Sequence, residues 1–184
     1  MTGNAPQAIG TLEPAGQAWR LRFTRELAHP VDLVWRALTE TEHLNAWFPM
    51  RVRGAWAEGA TLTFADPQGR GPEFTGRVLA CQPPSLLEFR WGTDVIRLEI
   101  VPNPRGCTFV LTDTFGELGK AARDAAGWHV CLDSLACHLD GAAAPWPPGE
   151  QWSEVHPGYV AKFGPDTATM GPPERHEIGE GLGH

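Results

Sequence analysis

Two aspartates and one histidine have the residue types and spacing that best suit chemistry in this sequence. Asp113 ends the strand-like stretch 109–113, whose alternation turns its carboxylate to the same side as two apolar residues. Asp124 and His129 lie on either side of Trp128 in a long helical pattern further along the chain. A carboxylate in an apolar interior needs a partner or a shifted pKa, so such groups often serve function.

These residues allow several roles. Asp113 and His129 form the best candidate acid/base couple, and Asp124 is the third catalytic candidate. Orientation of a polar ligand group is a second role for the two carboxylates. The structural alternative is that Asp113 is solvated at the end of its strand and that Asp124 pairs with Arg97 or Arg123.

Motifs of other common chemistries are missing from the sequence. The segment Gly69-Arg70-Gly71-Pro72 lacks the lysine of a phosphate-binding loop. His129 and His138 are nine residues apart on the predicted helix and face different sides, so we predict no metal site. No serine has the surroundings of an activated nucleophile. We therefore expect a protein without cofactor or metal, and more a binder than an enzyme.

Length and charge narrow the class of protein. The chain has 184 residues and a formal net charge of -7, which predicts one acidic domain and argues against nucleic acid as a partner. No apolar run is long enough for membrane insertion, and the first residues do not resemble a secretory signal. Four cysteines without paired short spacing are typical of reduced thiols. We expect a cytoplasmic protein.

Periodicity predicts a mixed α+β domain. Residues 19–27 alternate as a strand, and two short helices follow before Pro49. Between residues 51 and 115, turn-forming residues separate about six short strands, which must pair in antiparallel order because the connections are too short for crossovers. Residues 118–140 have the apolar stripe of one long helix, and this stripe must cover the sheet.

The ends of the chain differ in composition from the middle. Residues 1–16 are expected to be flexible, residues 17–142 form the predicted domain, and residues 143–184 form an acidic tail rich in Pro and Gly. Within the tail, residues 152–163 carry large apolar side chains at helical spacing. We expect this segment to dock on the domain, because such side chains are seldom left in water.

Several short motifs, in this order along the chain, resemble a known family. They are Val34 to Thr39, Leu44, Trp47-Phe48, Gly76-Arg77-Val78, Pro83-Pro84, Leu87, Trp91, Thr108 and Gly127-Trp128. The stretch from Gln17 to Gly141 is similar to the START-like (SRPBCC) superfamily, in the branch with homology to the activator of the heat-shock-protein-90 ATPase, of the C-terminal domain type. The resemblance implies a helix-grip fold, in which a curved antiparallel sheet wraps the long C-terminal helix.

The same resemblance implies a cavity between sheet and helix that holds a small hydrophobic or amphipathic molecule, such as a lipid. Its wall is expected to come from aromatic and apolar side chains together with the two aspartates. The candidate ligand-binding residues are Trp47, Phe64, Phe74, Phe89, Trp91, Phe109, Leu111, Asp113, Asp124 and Trp128. Each of the apolar residues alone is more typical of ordinary core packing.

Binding of such a ligand is the function that we expect from the sequence. Two alternatives remain: a protein-interaction module that stimulates a chaperone ATPase in the stress response, and an enzyme resembling polyketide cyclases or hydrolases. A homodimer and a chaperone partner are left open. Fold alone does not decide among these functions.

Overall fold

The computed structural model of the protein describes residues 9–144 and 148–171. For Pro148 it describes the backbone only. Eight antiparallel strands form one sheet: β1 Thr11–Ala15, β2 Ala18–Leu27, β3 Arg51–Arg53, β4 Thr61–Ala65, β5 Phe74–Gln82, β6 Leu86–Trp91, β7 Asp94–Asn103 and β8 Gly106–Phe115. Their order in the sheet is β1-β2-β8-β7-β6-β5-β4-β3. A long helix near the C-terminal end covers its inner face. This arrangement is the helix-grip fold, as the sequence predicted.

The strands follow the turn residues of the sequence. Hairpins join each strand from β3 to β8 to the next, and β2 pairs with β8, next to the edge strand β1, over nine residue positions.

Four α-helices accompany the sheet. They are α1 Val31–Thr39, α2 Thr41–Leu44, α3 Ala121–Leu139 and α4 Pro148–Phe163, with 3₁₀ turns at Leu118–Lys120 and Pro165–Ala168. α1 begins directly after Pro30, whose fixed φ suits a helix start. No helix of the described part of the chain is long and apolar enough to cross a membrane.

The core lies between the inner face of the sheet and α3. Alternation along β7 and β8 buries one face of each strand, and α3 contributes four buried alanines of its first turns together with Trp128 and Leu132. Small alanine side chains allow the start of α3 to lie close to the sheet. This close approach brings polar groups of β7, β8 and α3 together at one end of the core.

The N-terminal segment differs from the sequence expectation of flexibility over residues 1–16. Thr11–Ala15 form β1 and pair with β2 through a turn at Gly16, where φ is +69°. β1 is an edge strand whose side chains are mostly exposed, so it lacks the apolar alternation by which strands are recognised. Residues 1–8 lie outside the described residues.

The docking segment expected at residues 152–163 lies within α4, which packs along α3. Tyr159 is only 2% exposed, and its ring contacts Phe23 of β2. Trp152 Nε1 donates to the backbone oxygen of Arg123 over 3.1 Å. Burial of these aromatic groups holds α4 against α3 and against Phe23 of β2. The end of the tail, residues 172–184, lies outside the described residues.

Candidate functional site

Four charged side chains meet at one end of the inner face, and we name them the carboxylate cluster: Asp94, Asp113, Asp124 and Lys120. Asp94 begins β7, Asp113 lies near the end of β8, and the other two flank the start of α3. Asp113 pairs across the strands with Ile96, and Asp94 is two residues earlier on the same strand. Both carboxylates therefore lie on the inner face.

The carboxylate cluster is compact. One oxygen from each of the three aspartates lies within 4.8 Å of the others. Lys120 Nζ donates to Asp94 Oδ2 and lies 3.2 Å from Asp124 Oδ2. The same ammonium lies 5.1 Å from the ring centroid of Phe115, within the range of a cation–π contact. The protein thus places an ammonium among carboxylates and against an aromatic ring.

Asp113 is the most deeply buried member, with 0% exposure. Its Oδ2 accepts a hydrogen bond from Trp128 Nε1 over 2.8 Å, whereas its Oδ1 has no hydrogen-bond partner among the described residues. Burial, followed by the nearby Asp94 carboxylate, raises the pKa of Asp113 to about 7, against the opposing hydrogen bond from Trp128. This carboxyl therefore changes protonation near neutral pH.

The cluster contains more negative than positive charge when all its groups are ionised. Asp124 Oδ1 also accepts from Arg123 Nε over 2.8 Å, so Lys120 and Arg123 face three carboxylates. Burial opposes the charged form of Lys120, but its hydrogen bond to Asp94 and the other carboxylates nearby raise the pKa of Lys120 above its ordinary value. One carboxylate is left without a cation.

Aromatic side chains adjoin the carboxylate cluster on the inner face. The aromatic cluster consists of Trp47, Phe48, Trp56, Phe64, Phe74, Phe89, Trp91 and Trp128. The centroids of Trp91 and Trp128 are 5.3 Å apart. Trp91 is the cross-strand partner of Asp94, and it is partly exposed, as are Phe74 and Trp56. The aromatic cluster thus runs from solvent to the carboxylates.

The structure brings most of the predicted ligand-binding residues together. Trp47, Phe64, Phe74, Phe89, Trp91 and Trp128 belong to the aromatic cluster, and Asp113 and Asp124 belong to the carboxylate cluster. Phe109 and Leu111 lie on the inner face of β8 with 0% exposure, in the same core. Of the two arginines suggested as partners of Asp124, Arg123 forms the pair, while Arg97 pairs with Glu88 and Glu99 on the sheet.

His129 lies in different surroundings from Asp113. Its Nδ1 is 2.9 Å from the hydroxyl of Tyr159, and its Nε2 is 3.4 Å from Asp133 Oδ2. These contacts join α3 to α4 on the side of α3 that carries the docked tail. The structure therefore does not form the acid/base couple of Asp113 and His129, because the two side chains have other partners on different sides of the helix.

Two residues of the carboxylate cluster were not identified from the sequence. Asp94 follows Gly92 and Thr93, a combination that is typical of a turn, and Lys120 precedes the long helix. A signal for Asp94 does exist, because alternation that buries Ile96 and Leu98 also turns Asp94 inward. Lys120 is four residues before Asp124, a spacing at which helical side chains meet.

The three carboxylates also have the spacing of a metal-binding set. Carboxylate oxygens suit Mg²⁺ or Ca²⁺. Lys120, however, already bonds two of them, so the cluster holds a cation of the chain itself. The chemistry available at this end of the core is therefore the holding of a positive charge and the transfer of a proton to or from Asp113.

A curved antiparallel sheet around a C-terminal helix, with aromatic rings and buried carboxylates between them, defines a helix-grip domain of the START-like class. The family model described as Activator of Hsp90 ATPase homolog 1-like protein matches residues 28–140. The chain belongs to this family. No curated protein matches the chain at a significant level.

Solved structures share the fold. The chain is similar to the conserved protein of unknown function EF2215 from Enterococcus faecalis, with a TM-score of 0.70, 20% identity and coverage of 88% of this chain and 92% of that one. It is also similar to CalU16 from Micromonospora echinospora, with a TM-score of 0.65, 25% identity and coverage of 83% and 92%. An AHSA1-like protein from Aeromonas hydrophila has a TM-score of 0.56 at 17% identity, with coverage of 66% and 92%.

Proposed function

We propose that the protein binds a small hydrophobic or amphipathic molecule between the sheet and α3. The apolar part of the molecule contacts the aromatic cluster, and its polar group reaches the carboxylate cluster. Membership of the family is consistent with this role, since it suggests a ligand-binding or activator-like domain.

The observation that carries the proposal is the free oxygen of Asp113. A buried polar atom without a partner costs free energy, on the order of 1–3 kcal/mol, and native proteins keep few of them. Asp113 Oδ1 is such an atom, and the other oxygen of the same carboxylate accepts from Trp128 of the aromatic cluster. A ligand with a polar group beside an apolar body satisfies both parts of this surface.

A route for the ligand is provided by the partly exposed end of the aromatic cluster. Trp91 is at the tip of the β6–β7 hairpin, and its Nε1 donates to Met50 Sδ over 3.4 Å. Both side chains are partly exposed. A contact to sulfur is weak, and methionine adapts its shape readily, so these two side chains can separate at little cost.

The first test is native mass spectrometry of freshly purified protein, followed by organic extraction and identification of any bound molecule. The second is titration calorimetry with hexanol as probe. Trp91→Ala should weaken hexanol binding by about 10-fold, because a contact of about 1.4 kcal/mol is lost, while Trp35→Ala on α1 should not. Absence of any bound molecule together with no detectable hexanol binding would contradict the proposal.

A second candidate function follows from the family itself. The description of the family names an activator of the Hsp90 ATPase, so a protein-interaction role is the alternative. Its test is the ATPase rate of purified Hsp90 with and without this protein. Stimulation that survives Trp91→Ala would favour the interaction role over ligand binding.

A further inference from the structure

The charge count of the carboxylate cluster leaves one negative charge without a cation. Asp94 and Asp124 bond to Lys120, and Arg123 adds a second positive charge beyond Asp124. Asp113 has no cationic hydrogen-bond partner, because its one bond comes from the neutral indole of Trp128. A buried and uncompensated carboxylate is costly unless it is protonated or gains a positive partner.

The free oxygen of Asp113 is a separate observation from this charge count. Asp113 is 0% exposed, and its Oδ1 has no hydrogen-bond partner among the described residues. It also belongs to the set of carboxylates whose oxygens lie within 4.8 Å of one another. The residue that carries the unpartnered acceptor is therefore part of the region with excess negative charge.

Aromatic rings adjoin the same region. Trp128 carries the indole that bonds Asp113, and Trp91 lies 5.3 Å from it between ring centroids. Ring faces of tryptophan attract cations, and pockets that combine such rings with a carboxylate recognise ammonium groups. Lys120 has the same kind of surroundings, with two carboxylates and the Phe115 ring around its ammonium.

We propose that the molecule bound by this site is a small hydrophobic amine, whose ammonium donates to Asp113 Oδ1 while its apolar part lies against Trp91 and Trp128. The inference rests on the proposed function and names the class of its ligand. With the ammonium bound, three cations face three carboxylates. The bound amine thus gives Asp113 Oδ1 a hydrogen-bond donor and also neutralises the excess negative charge of the carboxylate cluster.

Proton binding by Asp113 competes with amine binding. The charged groups that face Asp113 are Asp94 from β7, with Asp124 and Lys120 from the start of α3 and Arg123 behind them. When Asp113 carries a proton, the cluster is already neutral and gains nothing from a further cation. Preference for an amine should therefore be weak at mildly acidic pH and strong at mildly basic pH, where a primary amine is still protonated.

The test compares three probes with one apolar chain: hexylamine, hexanol and hexanoate. Binding to the full chain is measured by titration calorimetry at roughly pH 6 and pH 8. At the higher pH hexylamine should bind about 10-fold tighter than hexanol, because a charge-assisted hydrogen bond replaces a neutral one. At the lower pH this ratio should fall toward one, and hexanoate should bind weakest at both.

Asp113→Asn tests the residue itself. This variant should bind hexylamine and hexanol equally at the higher pH, whereas Asp32→Asn, the same charge change at an exposed position of α1, should keep the wild-type ratio. If Asp113→Asn does not fold, the test is the change in the ratio of hexylamine to hexanol affinity between the two pH values, measured with the wild-type protein.

The outcomes separate this inference from the proposed function. Equal binding of hexylamine and hexanol by the wild-type protein at the higher pH, or tightest binding of hexanoate, would overturn the amine assignment and leave ligand binding in place. Failure of all three probes to bind would overturn both.

Discussion

Replacement of Asp113 by asparagine should stabilise the protein, and the stabilisation should be larger at basic pH than at acidic pH. Asparagine has nearly the same shape as a protonated aspartate, and its carbonyl oxygen can still accept from Trp128 Nε1. The variant therefore imitates the neutral form of Asp113 at every pH. The difference between the two proteins measures the cost of ionising this buried carboxyl.

The size of this cost follows from the pKa of Asp113, which burial and then Asp94 raise from 3.8 to about 7. Between these values the native state keeps a proton that the unfolded chain has released, so the free energy of unfolding falls as the pH rises. The complete shift corresponds to about 4 kcal/mol. Of this, about 2.5 kcal/mol is lost from roughly pH 5 to pH 8.

Urea unfolding at both pH values measures the effect. Asp113→Asn should have the higher free energy of unfolding at both pH values, and its advantage over wild type should grow by about 2.5 kcal/mol from the lower to the upper pH. Asp32→Asn on the exposed side of α1 is the matched control, and its difference from wild type should not depend on pH in this range. A pH-independent difference for Asp113→Asn would refute the reasoning, and so would lower stability of this variant at the upper pH.

Four further substitutions test the surroundings of the site, each by urea unfolding. Lys120→Met should cost about 3 kcal/mol at basic pH and less at acidic pH, because the buried Asp94 and the partly buried Asp124 lose their cation. An equal loss at both pH values would contradict this. Gly76→Ala should cost about 2 kcal/mol, since its Cβ would lie 2.0 Å from the backbone oxygen of Arg90. In Gly127→Ala the added Cβ of α3 meets no atom within 4 Å, so this variant should instead gain about 0.8 kcal/mol of stability. A change of stability with the same sign in both glycine variants would be inconsistent with this packing. Tyr159→Phe should cost about 1 kcal/mol, because the hydroxyl bonds to α3 and to the N-terminal segment are lost, and an unchanged unfolding midpoint would speak against these bonds.

The fold could be predicted from the sequence because each element carries its own local signal. Alternation marks β7 and β8, where one face is buried along the strand. The stripe that includes Trp128 and Leu132 marks α3, which needs an apolar face to cover the sheet. β1 has no such signal, because its pairing with β2 depends on backbone hydrogen bonds of an exposed edge strand.

The predicted acid/base couple shows where local signals stop being sufficient. Asp113 and His129 both lie close to Trp128, the first through a hydrogen bond and the second as its neighbour in sequence. Successive residues of a helix, however, point in directions about 100° apart. Trp128 faces the sheet, and His129 turns toward Tyr159 of α4. The packing of α4 beside α3 decides the partner of His129. The local sequence around Asp113 and around His129 does not contain that information.

The carboxylate cluster depends on the same kind of tertiary information. Alternation was enough to turn Asp113 inward, because strand periodicity is a local property. The burial of Asp94 and Lys120 is conditional, since each charged group stays inside only while the other is present. Their meeting requires both the register of β7 with β8 and the place where α3 begins. The excess negative charge at Asp113 is therefore a property of the assembled fold, and the amine inference could be made only after the three elements were placed together.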